Sequence, residues 1–397
     1  MGKRAKDNPA GQISRREFFK KSFSLATALG ASSLILGSAA NSEASTELAA
    51  AAPSNLGTAS GGSSLAASTG GTAGATAAAT TAPATAGAPT GAPASLPRRD
   101  LSRALVILAR KADRGNSLQA FYKTLLDASV KRLANTGKPE DAWARFFKPD
   151  DVVAIKVNSI TGKRLSTSPA LANAIAERLM SCGVRPDRII VWDRTISELD
   201  AAGFQISLAK EGPLCFGTDA PSMGYETSPT VLGAVGSCFS RIVTGDTTAL
   251  INVPLLREHE LAGVSISLKN NYGAIHNPNK YHADGCTPFV ADVNTHPDIK
   301  RKTRLVICDA LNVQFQSGPG YKPKWVSNFG GILVSTDPVA VDTVATEEIE
   351  KLRKAAGLRS LAEEKRYPGY LSVASDDAHA LGISDRSRID VINMELT

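Results

Sequence analysis

The chain contains no C-x-x-C pair. Its five cysteines, Cys182, Cys215, Cys238, Cys286 and Cys308, are scattered, so there is no ferredoxin-type iron–sulfur motif and no zinc-ribbon spacing. A Walker loop is absent, as is a G-x-G-x-x-G on a first strand–helix turn, and a bound nucleotide therefore has no support. There is no G-x-S-x-G elbow and no S-x-x-K followed by the other penicillin-recognising motifs, which argues against the common serine hydrolases. Past residue 40 no stretch is long and apolar enough to cross a membrane. Histidine is scarce, with five in 397 residues. Three of those five fall within one short segment, which makes that segment informative.

The amino-terminal residues are an address. Ser14-Arg15-Arg16-Glu17-Phe18-Phe19-Lys20 follows a basic leader (Lys3, Arg4, Lys6) and precedes a weakly apolar run from about Ser22 to Ala40. Small residues at Ser38-Ala39-Ala40 and Ser42-Glu43-Ala44 offer cleavage sites. The segment 1–44 resembles a Tat signal, which implies the Tat translocase as a partner during export and a periplasmic or extracytoplasmic location. The alternative is retention as an anchor; after cleavage no stable membrane span is expected. Residues 1–44 also inflate the charge. They hold seven basic and three acidic residues, so a formal +7 for the whole chain falls to +3 beyond Ala44. The high isoelectric point is partly a targeting feature, and no nucleic-acid partner is expected. Residues 45–95 are almost entirely Ala, Gly, Ser, Thr and Pro, too poor in large apolar side chains to offset ordering entropy, and read as a disordered linker.

The remaining residues, 96–397, alternate between strand and helix patterns. Strands are expected at 103–109, 151–157, 188–192, 240–244, 249–253, 304–308, 331–335 and 389–394, and helices at 118–134, 139–147, 168–182 and 338–352. Short apolar strands between helices predict an α/β fold: a mainly parallel sheet with helices on both faces and long functional loops at the strand carboxyl ends. Ligands bind beyond those carboxyl ends. There the chain places Lys156 and Asn158, Asp193, Asn252, Asp309 and Asp337. Each alone is explained by a solvated strand end, and Asp337 by a helix cap; as a set they point to one rim.

The densest constellation is LKNNYGAIHNPNKYHADGCTPFVADVNTH, residues 268–296, with His276, His282 and His296 among Lys269, Asn270, Asp284, Cys286 and Asp292. Imidazole and carboxylate suit a divalent transition metal, and the metal candidates are His276, His282, Asp309 and Asp337. His276 and His282 are six apart across Asn277-Pro278-Asn279, so the loop must fold back for them to meet. The bland reading is a solvated surface loop. A second loop, 310–331, contains Ser317-Gly318-Pro319-Gly320, where Gly318 and Gly320 allow close backbone approach to a ligand. Cys215–Cys238 is a candidate bridge.

The strand VAIKVN with Lys156 and Asn158, the segment SLKNNYG, the downstream YH, the strand and loop CDAL…GP, and STDPVAVDTVA occur in that order. Together they resemble the bacterial and archaeal family called domain of unknown function 362, over roughly residues 103–395. The resemblance implies a shared α/β domain without a settled reaction, and marks Lys156, Asn158, Lys269, Asn270, Gly273, His282, Asp309, Asp337 and Asp342. Many relatives carry appended ferredoxin-like cysteine motifs, which this chain lacks. Two readings follow. One is an exported enzyme acting on a small polar or anionic substrate, with Lys156, Lys269 and His282 as catalytic groups, Asn158, Asn270, Gly318 and Gly320 as ligand-binding groups, and a metal as the candidate cofactor. The other is a non-catalytic ligand-binding or redox-partner protein on the same rim.

Overall fold

A computed structural model describes residues 101–209 and 211–397; the signal segment 1–44 and the linker 45–95 lie outside the described residues. The strands are β1 (Ala104–Lys111), β2 (Val153–Lys156), β3 (Ile189–Asp193), β4 (Leu214–Gly217), β5 (Thr230–Leu232), β6 (Val235–Ser237), β7 (Ala249–Asn252), β8 (Leu255–His259), β9 (Gly263–Val264), β10 (Thr303–Gln314), β11 (Val326–Ser327), β12 (Gly331–Ser335) and β13 (Ile389–Leu396). The main sheet has the order β13-β1-β12-β10-β7-β2-β3-β4. Along that path β4, β3, β2, β7 and β10 are parallel neighbours. β12 alone runs against both its neighbours, and β13 is parallel to β1. The expected α/β sheet is therefore present, mixed but mostly parallel.

Period-2 alternation divides the sheet's side chains between two cores. On one face Val153, Ile155, Val191, Ile251, Leu305 and Ile307 meet helices α1 (Leu118–Ala134), α2 (Pro139–Ala144) and α3 (Pro169–Ser181). On the other face Ala154, Ile190, Trp192, Leu250, Val306 and Cys308 meet α7 (Phe289–Asn294) and α9 (Pro338–Ala355). The remaining helices are α4 (Ile196–Ala202), α5 (Arg241–Thr244), α6 (Ser267–Asn270), α8 (Pro297–Lys302) and α10 (Tyr370–Ala374). Among the described residues no helix is long and apolar enough to cross a membrane.

Several local readings change. Ser240–Thr244 is not a strand: the Ser240 hydroxyl accepts from the Ile242 amide, and one helical turn, α5, ends at Gly245. Ser168 stands at the N-cap position of α3, but its side chain makes no cap bond; its amide donates instead to Asp309 Oδ2 at 2.9 Å. β10 runs on to Gln314 and pairs with β11, so the expected 310–331 loop begins and ends in sheet. The segment 268–296 is built of α6, three short 3₁₀ turns and α7 rather than irregular loop. Cys215 and Cys238 are free thiols and do not form the candidate bridge. Cys215 lies within buried β4, where its backbone pairs with Ser207, and burial pushes its thiol up to about 12.

Candidate functional site

The strand β2 carries only apolar side chains until Lys156, which shares the face of Ala154 and is 2% exposed. A lone ammonium there would cost several kcal/mol. It is fully engaged instead: Nζ lies 2.6 Å from Asp193 Oδ1 at the end of β3, donates to the Val157 carbonyl at 2.7 Å, and reaches Asn270 Oδ1 at 3.4 Å. Asp193 in turn accepts from the Ser159 amide and hydroxyl on Oδ2 and from the Arg194 amide on Oδ1. Gly273 closes over this pair. A Cβ there would stand 2.7 Å from Lys156 Nζ and 2.9 Å from Asp193 Oδ1, so any side chain at this position would have to displace the pair.

Asn270 links the strand ends. Its Oδ1 accepts from Asn158 Nδ2 at 3.2 Å, and its Nδ2 donates to Asn252 Oδ1 at 2.8 Å. Asn252 Nδ2 donates onward to the Ser267 carbonyl, which ties α6 to β7. Asp342 of α9 secures the start of α6 by accepting from the amides of Ser267 and Leu268. Burial raises the Asp342 carboxyl to about 7 against these hydrogen bonds. Asn158 Oδ1 is buried and has no partner among the described residues.

One residue before Asn270, Lys269 points into a second cluster. Its Nζ is 3.1 Å from His282 Nε2 and 4.6 Å from the Tyr272 ring centroid. His282 Nδ1 lies 3.1 Å from the Pro278 carbonyl, which only accepts. The ring proton therefore sits on Nδ1, and Nε2 is free to accept from Lys269. Burial brings the Lys269 ammonium down to about 8, with the Arg257 charge pushing the same way. Burial and the Lys269 charge lower His282 as well. His259, at the end of β8, stacks on His282 at 5.8 Å and accepts from the Leu261 and Ala262 amides through Nδ1. It is held neutral by burial and by Lys269 and Arg257. Cys286 is buried beside this cluster, and burial raises its thiol despite Lys269.

The remaining expected site residues lie elsewhere. Asp309 follows Leu305 and Ile307 in the alternation of β10, so it belongs to the α1 face, opposite Lys156. There it accepts from Tyr122 Oη at 2.9 Å and from the Ser168 and Leu311 amides, and burial raises its carboxyl. Asp337 caps α9 through the Val339 and Ala340 amides and also accepts from Ile383. His276 is exposed and packs edge-on against Tyr225. Among the described residues no group of three or more His, Cys, Asp or Glu side chains is arranged to hold a metal ion. Gly318 presses on β8: its amide donates to Glu258 Oε2 at 2.6 Å, and a Cβ would stand 2.0 Å from the Glu258 carbonyl oxygen. The Gly320 carbonyl accepts from Gln314.

Thus Lys156, Asn158 and Asn270 come together at the carboxyl ends of β2, β3 and β7, and Lys269, the chain neighbour of Asn270, joins His282 in the adjoining cluster. Residues 153–347 match the family Domain of unknown function (DUF362). The DUF362 segment contains this whole cluster, together with Asp309, Asp337 and Asp342. The chain is also 23% identical, over 291 residues, to the thylakoid-associated protein sll1697 of Synechocystis sp.; the match covers 67% of this chain and 83% of that protein. No solved structure matches it. Neither likeness carries a reaction. Sequence reasoning passed over Arg257, His259 and Tyr272. The signal for the first two was three consecutive charge-bearing residues, Arg257-Glu258-His259, directly after the apolar pair Leu255-Leu256.

Proposed function

We propose that this protein is an exported enzyme that performs proton transfer on a small anionic substrate bound at the carboxyl-end rim, with Lys269 and His282 as its acid/base pair. The observation that carries this reading is the Lys269–His282 hydrogen bond, with the far ring nitrogen fixed by the Pro278 carbonyl. A lysine brought to about 8 exchanges its proton near neutral pH, where an ordinary lysine does not. A neutral imidazole held in one tautomer accepts or returns that proton without reorienting. Buried and paired, Lys156 is a positioning residue that fixes Asn270 and the loop after β2. Asn158 Oδ1 and Asn270 line the same rim as ligand contacts.

Location outside the cytoplasm is part of the proposal and is supported by Ser14–Lys20 and the weakly apolar run after it. The test of the chemistry is turnover. A panel of small carboxylates and phosphate esters is incubated with the protein in D2O and followed by proton NMR. The expected result is exchange or conversion of at least one compound by the native protein, lost in His282→Gln and Lys269→Met. Equal turnover by either variant contradicts the reading.

A further inference from the structure

Five Lys and Arg side chains are buried among the described residues: Lys156, Arg257, Lys269, Lys302 and Arg353. Three have protein counter-charges. Lys156 has Asp193, Lys302 has Asp298 at 3.1 Å, and Arg353 has Glu364 at 2.9 Å. Among the described residues no carboxylate forms an ion pair with Arg257 or Lys269. Arg257 is 2% exposed; its guanidinium donates at 2.7 Å to Thr161 Oγ1, and its buried Nε has no partner among the described residues. The Asp193 charge favours the guanidinium, but both Asp193 oxygens are engaged by Lys156, Ser159 and Arg194.

Arg257 and His259, two apart, share one face of β8, and His259 stacks on His282, the partner of Lys269, so two positive groups border one buried cluster. Arg257 pushes Lys269 down, and burial lowers Arg257 itself to about 10. Folding gains nothing from such an arrangement; an uncompensated buried cation costs several kcal/mol. An incoming anion removes both the repulsion and the missing partner, and guanidinium is suited to carboxylate and phosphate oxygens. The supporting loop is well fixed. Thr167 Oγ1 accepts from the Asn158 amide and donates to the Val253 carbonyl, and the Ser168 amide is bound by Asp309, so both ends of the loop that carries Thr161 are tied down.

We infer that Arg257 is the recognition residue for an oxyanion group, carboxylate or phosphate, of the ligand, with Lys269 supplying the second positive charge and Thr161 orienting the guanidinium. The inference deepens the proposed function and rests on it for the identity of the site. It names the substrate class by its anionic group and adds a residue that neither the motif order nor the histidine cluster marks.

The test is binding, without turnover. The full chain is titrated calorimetrically with inorganic phosphate and with malonate at constant ionic strength, and Tm is read with and without each. The native protein is expected to bind one of them at a single site and to gain Tm. Arg257→Met is expected to weaken that binding about tenfold or more, equivalent to about 1.4 kcal/mol. Its Tm in chloride alone should equal or exceed the native value. Arg257→Lys, which keeps charge and bulk but loses the fork, covers the case in which the Met variant does not fold, and it too is expected to bind more weakly. Binding of neither anion by the native protein, or unchanged affinity in Arg257→Met or Arg257→Lys, overturns the inference. A lower Tm of Arg257→Met in chloride with an intact anion response shows a purely structural arginine and overturns it as well. His282→Gln is expected to keep the anion response while losing turnover, so failure of recognition and failure of the acid/base reading are read separately.

Discussion

Replacing Lys269 with Met should make the protein more stable at neutral pH while abolishing its function. The side chain is 7% exposed, lies against Tyr272 and His282, and has no carboxylate partner among the described residues. Its ammonium titrates near 10.5 in the unfolded chain and at about 8 in the fold, mainly through burial. That difference corresponds to about 3 kcal/mol of folding stability forgone at pH 7. Methionine fills nearly the same volume without charge, so Lys269→Met should recover a large part of it, seen as a rise of several degrees in Tm. The pH dependence has a definite sign. Between about 8 and 10.5 the unfolded chain binds more protons than the folded one, so native stability rises with pH through that window. The gap between variant and native protein should be widest below pH 8 and close toward 10.5. Urea unfolding of both proteins across this range is the assay. A variant less stable than the native protein at pH 7, or a gap that stays constant with pH, refutes the reasoning.

Other expectations follow from single contacts. Gly273→Ala should separate Lys156 from Asp193 and cost about 3 kcal/mol, because breaking a buried pair leaves uncompensated charge; native-like stability would show that the turn can shift freely. Tyr122→Phe removes one of three donors to Asp309 and should cost about 1–3 kcal/mol by denaturant unfolding, while leaving anion binding at the opposite face intact. His379 is opposed by burial but bonded to Asp292 and Asp376, and its pKa is raised overall. Its contribution is fully present below the unfolded value of 6.5 and is lost as pH rises through the folded value, so the stability difference between native protein and His379→Gln should shrink on going from pH 6 to pH 8. Replacing Arg15 and Arg16 together by Lys should trap precursor in the cytoplasm, read by cell fractionation; unchanged export contradicts the address.

The sheet was legible because buried parallel strands read as short apolar runs ending in polar residues, as VAIK and IIVWD do. The segment 268–296 stood out by its concentration of polar residues, and Lys269 and His282 within it are hydrogen-bonded to each other. What the sequence hid were facts of facing and of closure. Asp309 is two alternations from Leu305, which puts it on the face away from Lys156; strand ends alone do not reveal that parity once several strands are stacked. SRIVT has the composition of a strand, yet one serine hydroxyl and Gly245 close it into a helical turn. Arg257 was concealed because its strand, Leu255–His259, was not among the expected strands. Only the course of β8, running beyond the rim beside β10 and under the loop after β2, turns it inward.

The central claim is that a lysine poised near neutrality and an anion share one site on this rim. The most direct test is NMR of the protein labelled at the lysine ε-carbon, titrated with and without phosphate or malonate, with Lys269 assigned from Lys269→Met. The account predicts one lysine titrating near 8 whose pKa rises when the anion binds, because the anion stabilises its ammonium form. A Lys269 that titrates with the surface lysines, or one that ignores both anions, would contradict it.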